Sequence, residues 1–174
     1  MKDNRMEFLK ANYHAHTWRC QHAYDTEREY IEAAISMGIE IFGFSDHVPC
    51  PYQDGYVSNI RMTMKQAPEY VETIRRLEAE YRDQIKIYVG FEAEYVPEFY
   101  EEQMRMFRNL GCDYMIMGQH FLGSEENGPY TGTETEDESR IRRYVDLVIE
   151  GMQTGSYAYC LLYTSPSPRD RSVS

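Results

Sequence analysis

Short apolar runs and amphipathic segments alternate along most of the chain. The apolar runs have the length of β-strands, and we predict strands over residues 11–17, 39–45, 85–93 and 114–118. Apolar residues recur at helical spacing between and after these runs, which predicts helices over residues 26–37, 67–81, 98–110 and 137–152. A fifth strand begins at residues 157–159. Successive strand–helix units are typical of an α/β fold with parallel strands.

Several helix ends carry their own local signals. Thr26 and Glu29 have the spacing of a capping box at the start of the first helix, and Gly38 follows its last residue. Pro68 is acceptable in the first turn of the second helix, and Gly111 follows the third. These signals fix the helix boundaries independently of the apolar pattern.

Residues of the types that bind metal ions lie at or just after the ends of the predicted strands. They are His14, His16, His22, His47, Glu92 and His120. Side chains two positions apart in a strand point to the same face, so His14 and His16 can bind one cation together. All five histidines of the chain belong to this set, which is hard to explain by core or surface roles alone.

The positions of these residues favour a barrel over an open sheet. Barrel enzymes collect functional groups from several strands at the carboxyl-terminal rim, whereas a doubly wound sheet concentrates its ligands near one switch point. The first predicted strand is not followed by a glycine-rich phosphate loop of either nucleotide-binding pattern. We therefore expect an α/β barrel.

The balance of charge limits the classes of partner. The formal net charge is −11, with 29 acidic and 18 basic residues, which disfavours nucleic acid and anionic membranes as partners. A small anionic substrate would need bound cations. The first seven residues are too charged for a secretory signal, and no apolar stretch could span a bilayer. We expect a cytoplasmic protein, and the oligomeric state stays open.

Four cysteines are scattered singly and form neither a CxxC pair nor a disulfide framework. They are Cys20, Cys50, Cys112 and Cys160. We expect reduced thiols. Cys20 lies between His16 and His22 and could approach a metal, although a role as an ordinary buried thiol is the simpler interpretation.

Imidazole and carboxylate ligands suit zinc, manganese or iron(II), and a glutamate such as Glu92 can bridge two ions. Asp46 could fix the tautomer of a metal-binding imidazole or cap the following turn. Ser45, Asp46 and His47 do not form a hydrolase triad, because consecutive strand residues point to opposite faces. Glu94 shares a face with Glu92 and could contact substrate, although a solvated acid is the simpler interpretation. We expect the acidic runs, including Glu125-Glu126, to be solvated.

Four segments together resemble the polymerase-and-histidinol-phosphatase (PHP) family. They are His14-Ala15-His16 with His22, Ser45-Asp46-His47, Gly90-Phe91-Glu92-Ala93-Glu94, and Met117-Gly118-Gln119-His120. The resemblance covers residues 8–159, and residues 12–49 look most like bacterial histidinol-phosphate phosphatases. The ordered set is far more specific than any single segment.

The resemblance implies a distorted (βα)7 barrel with up to three divalent ions, of which this chain would contain the first four to five units. His14 and His16 would hold one ion, Glu92 would bridge it to a second held by His120, and His22 with His47 would hold the third. It also implies hydrolysis of L-histidinol phosphate to L-histidinol and phosphate, in histidine biosynthesis. A metal-bound hydroxide would be the nucleophile.

The sequence departs from the family pattern near its end. The later family motifs, which supply a further His, an Asp and another His, are absent, so each ion would lose a ligand. Residues 160–174 read as a non-native tail, because residues 160–170 resemble the translated read-through of a sequencing adapter. We therefore expect residues 1–159 to be the amino-terminal part of a PHP-type phosphatase domain.

Two other functions stay open at this stage. The same metal site could act on a nucleotide or on a DNA 3′ end, although the acidic balance disfavours a polymeric substrate. Alternatively, the chain is a non-catalytic fragment that binds metal weakly, because an unfinished barrel leaves strand edges and an apolar face uncovered.

Overall fold

Four parallel strands form the centre of the part of the chain that the structure describes. The computed structural model describes residues 10–53 and 55–161. Its strands are β1 (Ala11–Asn12), β2 (Ile41–His47), β3 (Lys86–Ala93) and β4 (Tyr114–Met117). They lie side by side in chain order, and each neighbouring pair is parallel. The strand order of the described residues does not reverse, as it would in a doubly wound sheet, so these strands form part of a barrel.

Within residues 10–53 and 55–161, four helices and one short 3₁₀ turn connect or follow the strands. The helices are α1 (Glu27–Ser36), α2 (Ala67–Tyr81), α3 (Pro97–Leu110) and α4 (Glu138–Gln153), and the 3₁₀ turn is Trp18–Cys20. The predicted capping box at Thr26 and Glu29 is confirmed. Gly38 and Gly111 follow their helices with φ angles of 76° and 64°, a conformation that glycine adopts without strain. Within the described ranges, each helix is too short or too polar to cross a bilayer.

The first strand is shorter than predicted. The sequence predicts it over residues 11–17, but regular pairing with β2 ends at Asn12. The Asn12 side chain accepts a hydrogen bond from the backbone N–H of His14 at 2.9 Å. This N–H group therefore bonds within its own segment instead of pairing with a neighbouring strand. One backbone bond from Ser45 to the Ala15 carbonyl, at 2.9 Å, still holds the segment beside β2.

The core lies between the strands and the helices that cover them. Helix α2 buries Tyr70, Ile74 and Leu77, which share one face because they recur every three to four residues. They join Phe44 and Phe91 of the sheet in a single apolar cluster. Burial of these apolar side chains holds α2 against the strands. It thereby fixes the carboxyl ends of the strands, where the ligand-type residues lie.

A single tyrosine ring fills the space between three strands. Tyr114 of β4 donates its hydroxyl to the carbonyl oxygens of Tyr13, at 2.7 Å, and Phe44, at 3.1 Å. Glycines stand at the neighbouring positions 43 and 90. A Cβ atom at Gly43 would overlap the Tyr114 hydroxyl, and one at Gly90 would overlap the backbone carbonyl oxygen of Tyr114 and lie 2.8 Å from Cδ1 of its ring. The two glycines therefore make room for this aromatic ring.

Residues 157–160 begin to extend the sheet beyond β4, as predicted for a fifth strand. The backbone N–H of Ala158 donates to the Met115 carbonyl at 2.8 Å, and that of Met117 donates to Tyr159 at 2.9 Å. Cys160 forms a parallel bridge with Met117 and is buried in the core. Most of the predicted non-native tail, residues 162–174, lies outside the described residues, so its boundary stays a prediction.

Candidate metal centre

The six ligand-type residues approach one another at the carboxyl-terminal rim of the strands. His47 ends β2, Glu92 is the penultimate residue of β3, and His120 follows β4 by three residues. His14 and His16 precede the 3₁₀ turn and His22 follows it. The rings of His16 and His47 have centroids only 4.5 Å apart, although the residues come from different segments of the chain. Parallel strands place their carboxyl ends at one edge, which is why sequence-distant residues meet here.

Glu92 lies at the centre of this group and is almost fully buried, with 2% of its surface exposed. Its Oε2 atom is 3.0 Å from Nε2 of His14 and 3.0 Å from Nε2 of His16. The same oxygen is 3.6 Å from Nδ1 of His47, while Oε1 is 3.3 Å from Nε2 of His120. One carboxylate therefore faces two sets of imidazole nitrogens with its two oxygens, an arrangement suited to bridging two cations.

A glycine beside Glu92 allows this close approach. Gly118 lies between β4 and His120, and a Cβ atom at this position would overlap Oε1 of Glu92 and lie 2.7 Å from Cε1 of His120. Any larger residue would push the carboxylate and the imidazole apart. The short Met117-Gly118-Gln119-His120 segment is thus shaped around the centre.

The imidazoles of the group differ in protonation state because their surroundings differ. Burial disfavours the carboxylate of Glu92, but hydrogen bonds from His14 and His16 outweigh it and hold the pKa of Glu92 well below its usual range. Burial also opposes protonation of His16, yet hydrogen bonds to Asp46, Cys20 and Glu92 raise its pKa to about 11. Desolvation lowers the pKa of His47 to about 4, so His47 is neutral at physiological pH.

The donor atoms form three compact sets, in each of which they lie within 4.8 Å of one another. The sets are His14-His16-Glu92, His47-Glu92-His120 and His16-Cys20-His22. The resemblance implies that His47 shares an ion with His22, whereas these distances group His47 with Glu92 and His120. The rings of His22 and His47 remain neighbours, with centroids 5.3 Å apart.

His22, like His14, is an exposed member of the group. Its Nδ1 atom lies 2.8 Å from the Cys20 carbonyl oxygen. Cys20 is fully buried, and its thiol donates to the Thr17 carbonyl at 3.0 Å. Cys20 is thus a buried thiol that lies close to two imidazoles.

Comparison with known proteins identifies the family. Residues 12–170 match the family model described as the PHP domain. The chain belongs to the PHP domain family. Two curated relatives are a protein of Deinococcus radiodurans named a probable histidinol-phosphatase, which is 36% identical over 114 residues, and the histidinol-phosphatase of Bacillus subtilis, which is 32% identical over 125 residues.

These matches cover 64% and 68% of this PHP chain, but only 42% and 46% of the relatives. The chain therefore spans less than half the length of these curated relatives. A crystal structure of histidinol phosphate phosphatase from Lactococcus lactis, complexed with zinc, L-histidinol and phosphate, superposes with a TM-score of 0.63 at 23% identity. The superposition covers 83% of this chain and 53% of the other. It confirms the fold, an incomplete PHP barrel.

Asp46 contacts His16 from behind the candidate metal centre. Its Oδ1 atom lies 3.3 Å from Nδ1 of His16, and Oδ2 accepts hydrogen bonds from the backbone N–H and the hydroxyl of Thr17. The carboxylate is fully buried, so its orientation is fixed. A carboxylate on one imidazole nitrogen holds the other nitrogen toward a metal. The sequence suggests such a role for Asp46 without identifying which imidazole it contacts.

Two acidic residues predicted to be solvated are buried instead. Glu94 is 3% exposed, and it forms ion pairs with Arg61 and His120. The Glu125 side chain is also buried and pairs with Arg61. The prediction was wrong because Arg61 comes from an irregular loop and its position cannot be inferred from periodicity. The signal available for Glu94 was its place two residues after Glu92, on the same face of a strand.

Proposed function

We propose that this PHP domain is part of a metal-dependent phosphomonoesterase that hydrolyses L-histidinol phosphate to L-histidinol and phosphate, a reaction of histidine biosynthesis. The observation that carries the proposal is the buried Glu92 carboxylate, whose two oxygens face His14, His16 and His47 on one side and His120 on the other. The choice of substrate follows from the relatives, which are named histidinol-phosphatases, and from the Lactococcus structure, which contains L-histidinol and phosphate.

The donor set fits divalent cations. The Nδ1 atom of His47 is buried and has no hydrogen-bond partner among the residues that the structure describes, although it lies 3.6 Å from Glu92. A buried imidazole nitrogen without a partner is costly unless a ligand satisfies it. We therefore assign His14, His16 and Glu92 to one ion, and His47, Glu92 and His120 to a second.

The third ion implied by the family resemblance would use His22. Its partners are His47, as the resemblance implies, or His16 with Cys20, as the interatomic distances allow. Imidazole and carboxylate donors suit zinc, manganese and iron(II), and the relative from Lactococcus lactis holds zinc. We propose zinc as the first metal to test.

The residues of the chain prepare the centre for a phosphorylated substrate. Bound divalent ions would supply Lewis acidity toward the phosphate oxygens and would activate water as the nucleophile. Glu92 remains anionic because its pKa is low, and His47 keeps a free nitrogen lone pair because its pKa is about 4. Asp46 orients His16. The cations would also offset the net charge of −11, which by itself repels a phosphate ester.

We also assign this reaction to the cytoplasm. All four cysteines are free, and three of them are buried. Thiols without disulfides are typical of proteins from reducing compartments. A small phosphorylated substrate would then be the main partner, with no requirement for nucleic acid or membrane.

The test is release of inorganic phosphate from L-histidinol phosphate by the zinc-loaded chain, with and without the substitution Glu92→Ala. We expect the substitution to abolish turnover, because it removes the group shared by both proposed ions. Glu98→Ala is the matched control, since Glu98 is an exposed acid at the start of α3. Unchanged turnover after Glu92→Ala would contradict the assignment of Glu92.

A second function has one specific observation in its favour. The chain spans 42% and 46% of its curated relatives, and its sequence lacks the later ligand motifs of the family. It could therefore bind divalent ions without catalysing hydrolysis. Zinc binding that depends on Glu92, in a chain that releases no phosphate, would support this function over the phosphatase. Extending the chain with the genomic sequence that follows codon 159 would then be expected to add activity.

A further inference from the structure

A buried ionic cluster lies directly behind His120. Its members are Arg61, from the loop between β2 and α2, Glu94, just after β3, and Glu125, from the loop after β4. Their side chains are 1%, 3% and 4% exposed. Burying three charged groups is unfavourable unless each is paired and hydrogen-bonded, so the contacts within this cluster need an explanation.

His120 connects the cluster to the proposed metal centre. Its Nδ1 atom lies 3.1 Å from Oε1 of Glu94, while its Nε2 atom lies 3.3 Å from Oε1 of Glu92. The two nitrogens of one imidazole thus face two different carboxylates. A neutral imidazole that donates from Nδ1 to Glu94 presents the lone pair of Nε2 toward Glu92, which is the state required of a metal ligand.

Arg61 keeps Glu94 in place and occupies both of its oxygens. Nη1 donates to Oε2 at 3.0 Å, and Nη2 donates to Oε1 at 3.2 Å. The guanidinium is itself anchored by Nη1 to the Val48 carbonyl, at 3.1 Å, and by Nε to Glu125, at 2.7 Å. A two-point guanidinium–carboxylate contact fixes the carboxylate plane. Glu94 is therefore not free to turn toward the metal centre.

Glu125 is held in turn by the opposite loop. Its carboxylate accepts hydrogen bonds from the hydroxyls of Ser58 at 2.9 Å, Tyr56 at 3.0 Å and Tyr52 at 3.2 Å. It makes none of the contacts to His120 that Glu94 makes. Glu94 and Glu125 thus both neutralise Arg61. Of the two, only Glu94 contacts a proposed metal ligand.

We propose that Glu94 is a positioning residue of the metal centre: held by Arg61, it accepts a hydrogen bond from Nδ1 of His120 and thereby directs Nε2 of His120 to the ion shared with Glu92. The proposal rests on the proposed metal-binding function. It differs from a structural role for Glu94, in which the carboxylate would only neutralise Arg61. The comparison of Glu94 with Glu125 separates these two roles.

The test compares the unsubstituted chain with Glu94→Gln and Glu125→Gln. Zinc stoichiometry and affinity are measured by competition with a chromophoric chelator, and the tautomer of His120 is read from the ¹⁵N shifts of its imidazole in the zinc-loaded protein. In Glu94→Gln, either orientation of the amide sets an N–H group against Arg61 or His120. We expect about 10- to 100-fold weaker binding of one zinc equivalent and altered ¹⁵N shifts of His120.

Glu125→Gln is expected to leave both the zinc affinity and the His120 shifts as in the unsubstituted chain. Equal losses in the two variants, or an unchanged zinc affinity in Glu94→Gln, would overturn the proposal. If Glu94→Gln does not fold, Glu94→Met leaves Arg61 paired with Glu125, offers Nδ1 of His120 no acceptor and is expected to show the same loss. A failure of the unsubstituted chain to bind zinc would contradict the proposed function as well as this inference.

Discussion

At the scale of single residues, the candidate metal centre combines imidazoles of different protonation state around one carboxylate. His16 is held by Asp46 on one nitrogen and faces Glu92 with the other. His47 is more deeply buried, with 8% of its side chain exposed against 16% for His16, but it has no hydrogen-bond partner for Nδ1 in the described part of the chain. The contrast follows from the position of carboxylates around each ring. The two imidazoles should therefore respond differently when a metal binds.

Zinc binding should become tighter as the pH rises. His16 has a pKa of about 11 and carries a proton at neutral pH in the metal-free protein, whereas a metal binds only the neutral imidazole. Raising the pH removes the competing proton, so the zinc association constant should rise by up to about tenfold per pH unit for each proton displaced. His47, with a pKa of about 4, is already neutral between about pH 6 and about pH 8 and releases no proton there.

The measurement is zinc affinity from about pH 6 to about pH 8, by chelator competition corrected for the proton equilibria of the chelator. Calorimetry in two buffers of different ionisation enthalpy would count the protons released. Zinc affinity that is constant over this range, with no proton release, would contradict the protonated state of His16.

At the scale of secondary-structure elements, the strands of the sheet and the helix packed on them were predictable. The apolar runs and helical periodicity indicated β2, β3, β4 and the four helices close to their observed bounds. Gly38 and Gly111 marked helix ends because each adopts a positive φ angle there. The length of β1 was not predictable, because the side chain of Asn12 competes for the backbone N–H of His14.

The loops set the limit of prediction for the site. The sequence identified the six ligand-type residues and suggested Asp46, because strand ends have a regular place in a parallel fold. It did not identify Arg61 or the burial of Glu94 and Glu125, because their contacts join loops that are distant in the chain. Nor does spacing alone determine whether His47 groups with His22 or with Glu92, since that depends on how the rings are turned.

One hydroxyl joins helix α2 to two strands, and its removal should weaken the fold. Tyr70 donates to the Gly90 carbonyl at 2.9 Å and accepts from the backbone N–H of Asp46 at 3.2 Å. It is fully buried. Tyr70→Phe leaves both backbone groups without this partner, and we expect the free energy of unfolding to fall by about 1–3 kcal/mol.

Urea unfolding of the metal-free protein would measure this loss. Tyr24→Phe is the matched control, since Tyr24 is 89% exposed and should change little. Equal stability of Tyr70→Phe and the unsubstituted chain would show that water or a shifted backbone satisfies the two groups.

At the scale of the whole molecule, charge distinguishes the candidate substrates. A net charge of −11 repels a polyanion over its whole length, whereas a small phosphate ester meets only the centre and its cations. The zinc-loaded chain should therefore release phosphate from L-histidinol phosphate while leaving single-stranded DNA intact. Parallel assays of one preparation, with a DNA labelled at its 5′ end, would measure this. Shortening of the DNA at a comparable rate would favour a 3′-end nuclease instead.

The ring of Tyr114 has a consequence for how such sequences can vary. Its volume is shared with positions 43 and 90, where glycines leave the space that the ring occupies, and its hydroxyl bonds two further carbonyl groups. A methyl group gained at Gly43 would have to be matched by a smaller residue at position 114, whereas one gained at Gly90 would also overlap the backbone carbonyl oxygen of Tyr114, which no substitution at position 114 removes. In a library randomised at these three positions, functional clones should therefore keep glycine at position 90 and recover positions 43 and 114 as a correlated pair.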